Sequence, residues 1–288
     1  MPANASPVAT PPSTLTLNNG TTVARLGQGT WNMGASGAAA SAEIRALQHG
    51  IALGMNLIDS AEMYADGGAE EIVGKAIAGR REQVYLVSKV LPHHASRRGA
   101  VHACEASLKR LGVEQIDLYL LHWRGSHALS ETIAAMQTLR SQGKIGAWGV
   151  SNFDHADMRD LLALEHGAQA QVNQVLYNLS RRGIEFDLQP YCAQKGIAIM
   201  AYSPIEQGRI LKQPLLTTLA RQHAASPAQV ALAWSLRQPG VIAIPKAASI
   251  QHVSDNHASL ALRLSDADLA ALDQVFVPPC QARPLEML

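Results

Sequence analysis

Seven apolar runs in this 288-residue chain end in side chains that ionise or hydrogen-bond. Asp59 follows NLI, Lys89 follows VYLVS and His122 follows LYLL. Ser151-Asn152 follow GAWGV, Gln174 sits in QVNQV, Tyr202-Ser203 follow IAIMA, and Lys246 follows VIAIP. A carboxylate, an ammonium and an imidazole can hold and pass a proton, while amides and hydroxyls can fix a polar ligand. Any one of these residues could be a helix cap or a solvated strand end. Together they resist a structural explanation, because each buried polar group costs ~1–3 kcal/mol unless it is paired. Metal chemistry is not expected. His93-His94 have no acidic or thiol partner at ligand spacing and read as a loop pair, and Cys104, Cys192 and Cys280 are widely separated.

The elements that must position these residues alternate along the chain. Residues around Asn19-Gly20 in TLTLNNGTTVARLG carry a hairpin signal. Eight strand candidates follow: ARLGQGTW, NLIDSA, QVYLVSKV, IDLYLLHW, IGAWGVSNF, QVNQVLYN, IAIMAYSP and VIAIPKA. Between them lie helical patterns, among them SAEIRALQHGIALG with Ser41 as its expected cap, GAEEIVGKAIAG, RGAVHACEASLKRLG, LSETIAAMQTLRSQGK, DMRDLLALEHG and PAQVALAWSLRQPG. Gly79, Gly112, Gly143, Gly167 and Gly196 are expected to stop helices just before strands. EQGRILKQPLLTTLARQHAAS is extra material before the last strand, and SDADLAALDQVF forms a final helix capped by Ser265. Strand-helix alternation with apolar strands means a parallel sheet covered by helices. Eight units in this length predict a closed (β/α)8 barrel with an N-terminal β-hairpin and extra C-terminal helices. Residues 1–14 are expected to form a flexible tail and residues 15–288 a single domain. In such a barrel, the side chains that close the strands converge on the reactive face.

Composition excludes other classes of protein. With 47% hydrophobic and 16% charged residues the chain is too apolar for disorder. Its 24 Lys+Arg and 23 Asp+Glu leave +1, which gives no electrostatic case for nucleic acid or an anionic membrane as partner. No apolar stretch approaches the ~18 residues of a membrane span. MPANASPVATPP has no basic start and carries four prolines, so it does not read as a secretory signal. The odd cysteine count suits a reducing, cytoplasmic setting.

The motifs LGQGTW, NLIDSAEMY followed by AEEIVGKAI, VSK, DLYLLHW, GVSNF, QVNQ, AYSP and AIPKA make the chain resemble the aldo-keto reductase family from about Leu15 to Phe276. The AIPKAASIQHV stretch is most similar to bacterial branches that reduce methylglyoxal and related small aldehydes. The resemblance implies a catalytic tetrad of Asp59, Tyr64, Lys89 and His122. Carbonyl reduction needs a hydride that no side chain carries, so a nicotinamide cofactor is implied. On this reading Lys89 makes the Tyr64 phenol more acidic, Asp59 holds the lysine, His122 orients the carbonyl oxygen, and Tyr64 delivers the proton.

The glycines of LGQGTW do not supply a dinucleotide loop, because Gly27 and Gly29 lack the third glycine of GxGxxG. The resemblance instead places the nicotinamide on Ser151, Asn152, Gln174 and Tyr202, and the pyrophosphate along Ser203, Ile205, Gln207 and Gly208. Lys246 would meet a 2′-phosphate, His252 would stand where the family often has arginine, and Asn256 would lie near the adenine. NADPH is therefore expected, with NADH possible because a neutral imidazole binds phosphate less well than a guanidinium. Trp31 and Trp123 would wall a pocket for a small-molecule carbonyl, and Arg124 would either draw an acidic substrate or stay solvated. The short segment after the last helix implies an open, permissive site. The expectation is a monomeric aldehyde reductase. The alternatives are a diketo sugar-acid reductase and a nicotinamide-sensing regulatory subunit on the same barrel.

Overall fold

The computed structural model describes residues 13–288; the tail expected at 1–14 falls outside them up to residue 12. Its strands are β1 (Thr14–Thr16), β2 (Thr22–Ala24), β3 (Gln28–Gly29), β4 (Leu57–Asp59), β5 (Tyr85–Val90), β6 (Ile116–Leu121), β7 (Ile145–Ser151), β8 (Val172–Leu176), β9 (Ala198–Tyr202) and β10 (Val241–Ala243). The α-helices are α1 (Ala40–Ala52), α2 (Gly68–Ile77), α3 (Arg97–Leu111), α4 (Leu129–Ser141), α5 (His155–Leu162), α6 (Leu188–Gln194), α7 (Pro214–Gln222), α8 (Pro227–Leu236), α9 (Ile250–Ala258) and α10 (Asp266–Val275). Strands β3 to β10 pair in parallel in chain order. Bridges from Leu26 to Ala243 and from Gly29 to Lys246 join the first of them to the last, giving a (β/α)8 barrel. The antiparallel β1–β2 hairpin turns at Gly20, whose φ of 86° suits a residue without a side chain.

The period of two along the strands sorts their side chains into two cores. Leu57, Val87, Leu118, Leu120, Ala147, Val172, Met200, Ile242 and Ile244 pack together as the barrel interior, and Leu17 and Val23 of the hairpin join them. Their sequence neighbours, including Ile58, Leu86, Tyr119, Leu121, Trp148 and Ile199, pack outward with the helices. A Cβ on Gly27 would lie 2.7 Å from Leu57 Cδ2, and one on Gly29 would lie 2.8 Å from the Ile244 carbonyl oxygen. The two glycines therefore keep β3 close to its barrel neighbours, which accounts for the G-x-G spacing without any phosphate. Among the described residues no helix is long and apolar enough to cross a membrane.

Two local expectations are corrected. Ser41 does not cap α1: the N-cap is Ala39, with no side-chain hydrogen bond, and Ser41 lies inside the helix. Gly167 does not supply a left-handed stop either, because the preceding His166 takes that conformation at φ 62°. Glycine is needed at 167 for space, since a Cβ there would lie 1.9 Å from the Leu161 carbonyl oxygen. Gly79, Gly112, Gly143 and Gly196 do adopt positive φ at helix ends. Helix α6, which has Pro190 in its first turn and only seven residues, gives too little periodicity to be read in advance.

Candidate active site

The strand-closing residues continue the inward phase of the barrel. Asp59 follows Leu57 by two positions, Lys89 follows Val87, His122 follows Leu120, Ser151 follows Gly149 and Ala147, Gln174 follows Val172, and Tyr202 follows Met200. Lys246 follows Ile244 in the same way. They form the top polar layer of an otherwise apolar interior. Tyr64 comes from elsewhere, in a turn after β4 where Ala65 and Asp66 both have positive φ. That turn brings its hydroxyl over the strand ends.

Lys89 is fully buried, and its ammonium donates to the Asp59 carboxylate at 2.8 Å, to the Ser60 carbonyl at 2.8 Å and to the Tyr64 hydroxyl at 3.1 Å. The ammonium lies 2.8 Å from both Asp59 oxygens, and Gln174 Nε2 donates to Oδ1 at 2.7 Å. Burial works against the Lys89 ammonium, but Asp59 and Tyr64 more than offset it and its pKa is raised. At Tyr64 burial also dominates: it raises the phenol pKa, opposed by the neighbouring Lys89. This corrects the expectation of a net more acidic phenol. The lysine opposes the upward shift without reversing it, and the proton stays on the oxygen at neutral pH. His122, whose ring lies 5.8 Å from that of Tyr64, has its pKa lowered to about 3 by burial and by Lys89, so its imidazole is neutral. Its Nδ1 is buried without a hydrogen-bond partner, which leaves Nε2 as the nitrogen able to serve a ligand.

Asp59, Tyr64, His122 and Gln174 floor a cleft of about 400 Å³, with Lys89 buried beneath them. Trp31, Met63, Trp123, Met287 and Leu288 line its apolar side. Trp31 is 45% exposed there, so it is not barrel packing. Ser151, Asn152, Gln174, Tyr202, Ser203, Ile205, Gln207, Gly208 and Lys246 also line the cleft. Several already form one network: Ser151 Oγ donates to the Gln174 carbonyl at 2.8 Å, Asn152 Nδ2 to the His122 carbonyl at 3.1 Å, and the Tyr202 hydroxyl to Asn152 Oδ1 at 3.1 Å. Burial lifts the Tyr202 phenol to about 12, so this donor keeps its proton.

The structure does not bring every expected residue to the cleft. His252 and Asn256 lie a turn apart on α9, His252 exposed and Asn256 buried, and neither lines the cavity. Arg124 is held by Asp157 at 2.5 Å and Asp160 at 2.8 Å, away from the cleft lining. The expectation of an open, permissive site is amended to the extent that Met287 and Leu288 reach the cleft wall. The sequence reading missed Met63, Met287 and Leu288. Met63 had a signal, since it sits next to Tyr64, but the other two are far away in sequence.

A parallel barrel whose mouth carries a linked carboxylate, ammonium, phenol and imidazole beneath an apolar cleft is the architecture of a barrel enzyme. The chain matches the profile of the Aldo/keto reductase family over residues 25–276 and belongs to that family of oxidoreductases. It is 53% identical over 268 residues to "Methylglyoxal reductase YeaE" of Escherichia coli strain K12, covering 91% of this chain and 94% of the relative. It is 34% identical over 263 residues to "Glyoxal reductase" of Bacillus subtilis strain 168, covering 90% and 91%. Among solved structures, an aldo/keto reductase from Klebsiella pneumoniae in complex with NADP and acetate superposes with a TM-score of 0.93 at 47% identity, covering 96% of this chain and 99% of that one.

Proposed function

We propose that this enzyme uses NADPH to reduce small aldehydes and ketoaldehydes, of which methylglyoxal is representative, to alcohols. The observation that carries the reading is the buried Lys89 ammonium, held at once by Asp59 and the Tyr64 hydroxyl, two groups that themselves line an apolar cleft. The cofactor assignment fits the residues present. The cleft volume suits the nicotinamide end of a cofactor together with a small substrate, and Gly208 has open space where a Cβ would stand. Lys246 is exposed at the cleft and joins none of the ion pairs among the described residues, leaving its charge for a phosphate. The NADP complex of the Klebsiella relative supports the same choice.

NADPH, when bound, supplies the hydride that the side chains lack. Ser151, Asn152, Gln174 and Tyr202 would hold the nicotinamide end, and Lys246 the phosphate end. Tyr64 keeps its proton at neutral pH and presents it to the carbonyl oxygen. As that proton leaves, the Lys89 ammonium stabilises the phenolate left behind, and Asp59 keeps the ammonium charged and in place. The neutral His122 donates a hydrogen bond to the same oxygen and orients it. Among the described residues no arginine lines the cleft, and Arg124 is already neutralised by two aspartates, so a neutral carbonyl is favoured over a sugar acid.

The test is turnover of NADPH with methylglyoxal by the wild-type chain and by Tyr64→Phe. The variant should lose ~10²–10⁴ in kcat, the range for removing a positioned acid, while binding NADPH with little change. Retained activity would remove Tyr64 from the proton-donor role. NADPH binding without turnover across a broad aldehyde panel would favour the sensing reading.

A further inference from the structure

The loops around the cleft are joined by a polar bridge that none of the assigned roles uses. Glu206, in the loop after β9, is buried and has a positive φ of 50°, as do Ser203 at 47° and Gln207 at 53°. Such backbone persists for ordinary residues only where side-chain bonds over-determine it. Here they do: Asn178, buried after β8, donates to the Ser203 carbonyl at 2.9 Å and to Glu206 Oε2 at 2.7 Å. Arg181 grips Glu206 Oε1 through Nε at 3.2 Å and Nη2 at 3.0 Å, and Arg209 adds a bond at 2.8 Å. Burial works against this carboxylate, but hydrogen bonds from Arg181, Arg209 and Asn178 hold its pKa below the ordinary value.

The third nitrogen of Arg181 turns the other way and donates to Glu286. Glu286 immediately precedes Met287 and Leu288, which line the apolar side of the cleft, and the Leu288 N–H reaches the Tyr202 hydroxyl at 3.4 Å. One guanidinium thus joins the loop assigned to the pyrophosphate with the segment that walls the substrate. A lysine would have to meet both carboxylates from one nitrogen, without the spread of donors by which the guanidinium reaches Glu206 through Nε and Nη2 and Glu286 through Nη1.

We propose that Arg181 is a positioning residue that couples cofactor binding in the Ser203–Gly208 loop to the ordering of residues 283–288 over the carbonyl substrate. This rests on the NADPH reading above. The Glu286 arm is partly exposed, so the coupling is modest and is greatest for substrates whose apolar group reaches Met287 and Leu288.

The experiment measures hydrogen exchange of residues 283–288 with and without NADPH, together with kinetics on benzaldehyde, for wild type, Arg181→Met, Arg181→Lys and Glu286→Gln. In the wild type NADPH should slow exchange of the segment roughly three- to fivefold, the scale of a partly exposed ion pair. All three variants should lose that effect and raise the KM for benzaldehyde by a similar factor, more than they lower kcat. Glu286→Gln leaves the buried Glu206 network intact and keeps the test open should Arg181→Met fold poorly. The bridge is overturned if NADPH binds but exchange responds equally in wild type and variants, or if Arg181→Lys restores the coupling. Failure of the wild type to bind NADPH would overturn the cofactor reading and the bridge with it.

Discussion

At the scale of single residues, the site works by burying charge only where it is paired. Lys89 and Asp59 have nearly no solvent exposure; Asp59 and Tyr64 keep the Lys89 ammonium charged, and Gln174 holds the Asp59 carboxylate from its other side. His122 is buried without a counter-charge and stays neutral, with consequences for stability. Its folded pKa of about 3 lies below that of an unfolded histidine. As pH falls the unfolded chain therefore takes up a proton that the folded chain refuses, and stability is lost between the two values. From pH ~6.5 to pH ~5 this amounts to about 2 kcal/mol. Urea unfolding at both pH values should show a fall in unfolding free energy that is smaller by that amount in His122→Gln than in wild type; equal falls would mean that the histidine titrates normally. Lys246 makes a separate prediction. Losing its charge should weaken NADPH roughly tenfold or more while sparing NADH, since only NADPH carries a 2′-phosphate. Dissociation constants for Lys246→Ala with both nucleotides would check this, and equal losses would detach the lysine from that phosphate.

At the scale of elements, local chemistry was legible where one side chain decides the outcome. Ser265, the expected cap, forms a capping box with Asp268 at the start of α10; Ser226, not singled out in the sequence, does the same for α8 with Gln229. Ser41 had the right residue type at the right offset from an amphipathic run, yet α1 starts earlier, at Ala40. The sequence cannot distinguish these serines, because helix starts are set by how the preceding loop packs. Chemical unfolding should therefore separate them. Ser265→Ala and Ser226→Ala should each cost about 1 kcal/mol, and Ser41→Ala should stay within about 0.5 kcal/mol of wild type. The strands were more readable than the helix ends, since near-continuous apolar runs bounded by glycine leave few alternatives.

At the scale of the whole molecule, the hairpin and the C-terminal segment act at opposite ends of the barrel. Leu17 is buried and packs with the barrel-interior residues, so the hairpin plugs the end remote from the cleft. Leu17→Ala should lower the unfolding free energy by roughly 2–5 kcal/mol, with the kinetic constants little changed. A comparable fall in kcat would show that the plug also shapes the site. The amino-acid sequence alone determined the eight strand-helix units, the phase of each strand and thus the polar side chains that crown the interior, because a period of two is written in the order of residues. Family resemblance added Tyr64, which lies on no strand. Only the tertiary structure decided which way burial drives the Tyr64 and His122 pKa values, that Arg124 is already claimed by two aspartates, and that Met287 and Leu288 return to the cleft. These are outcomes of contact between segments far apart in sequence, and desolvation and pairing depend on distances that residue order does not carry.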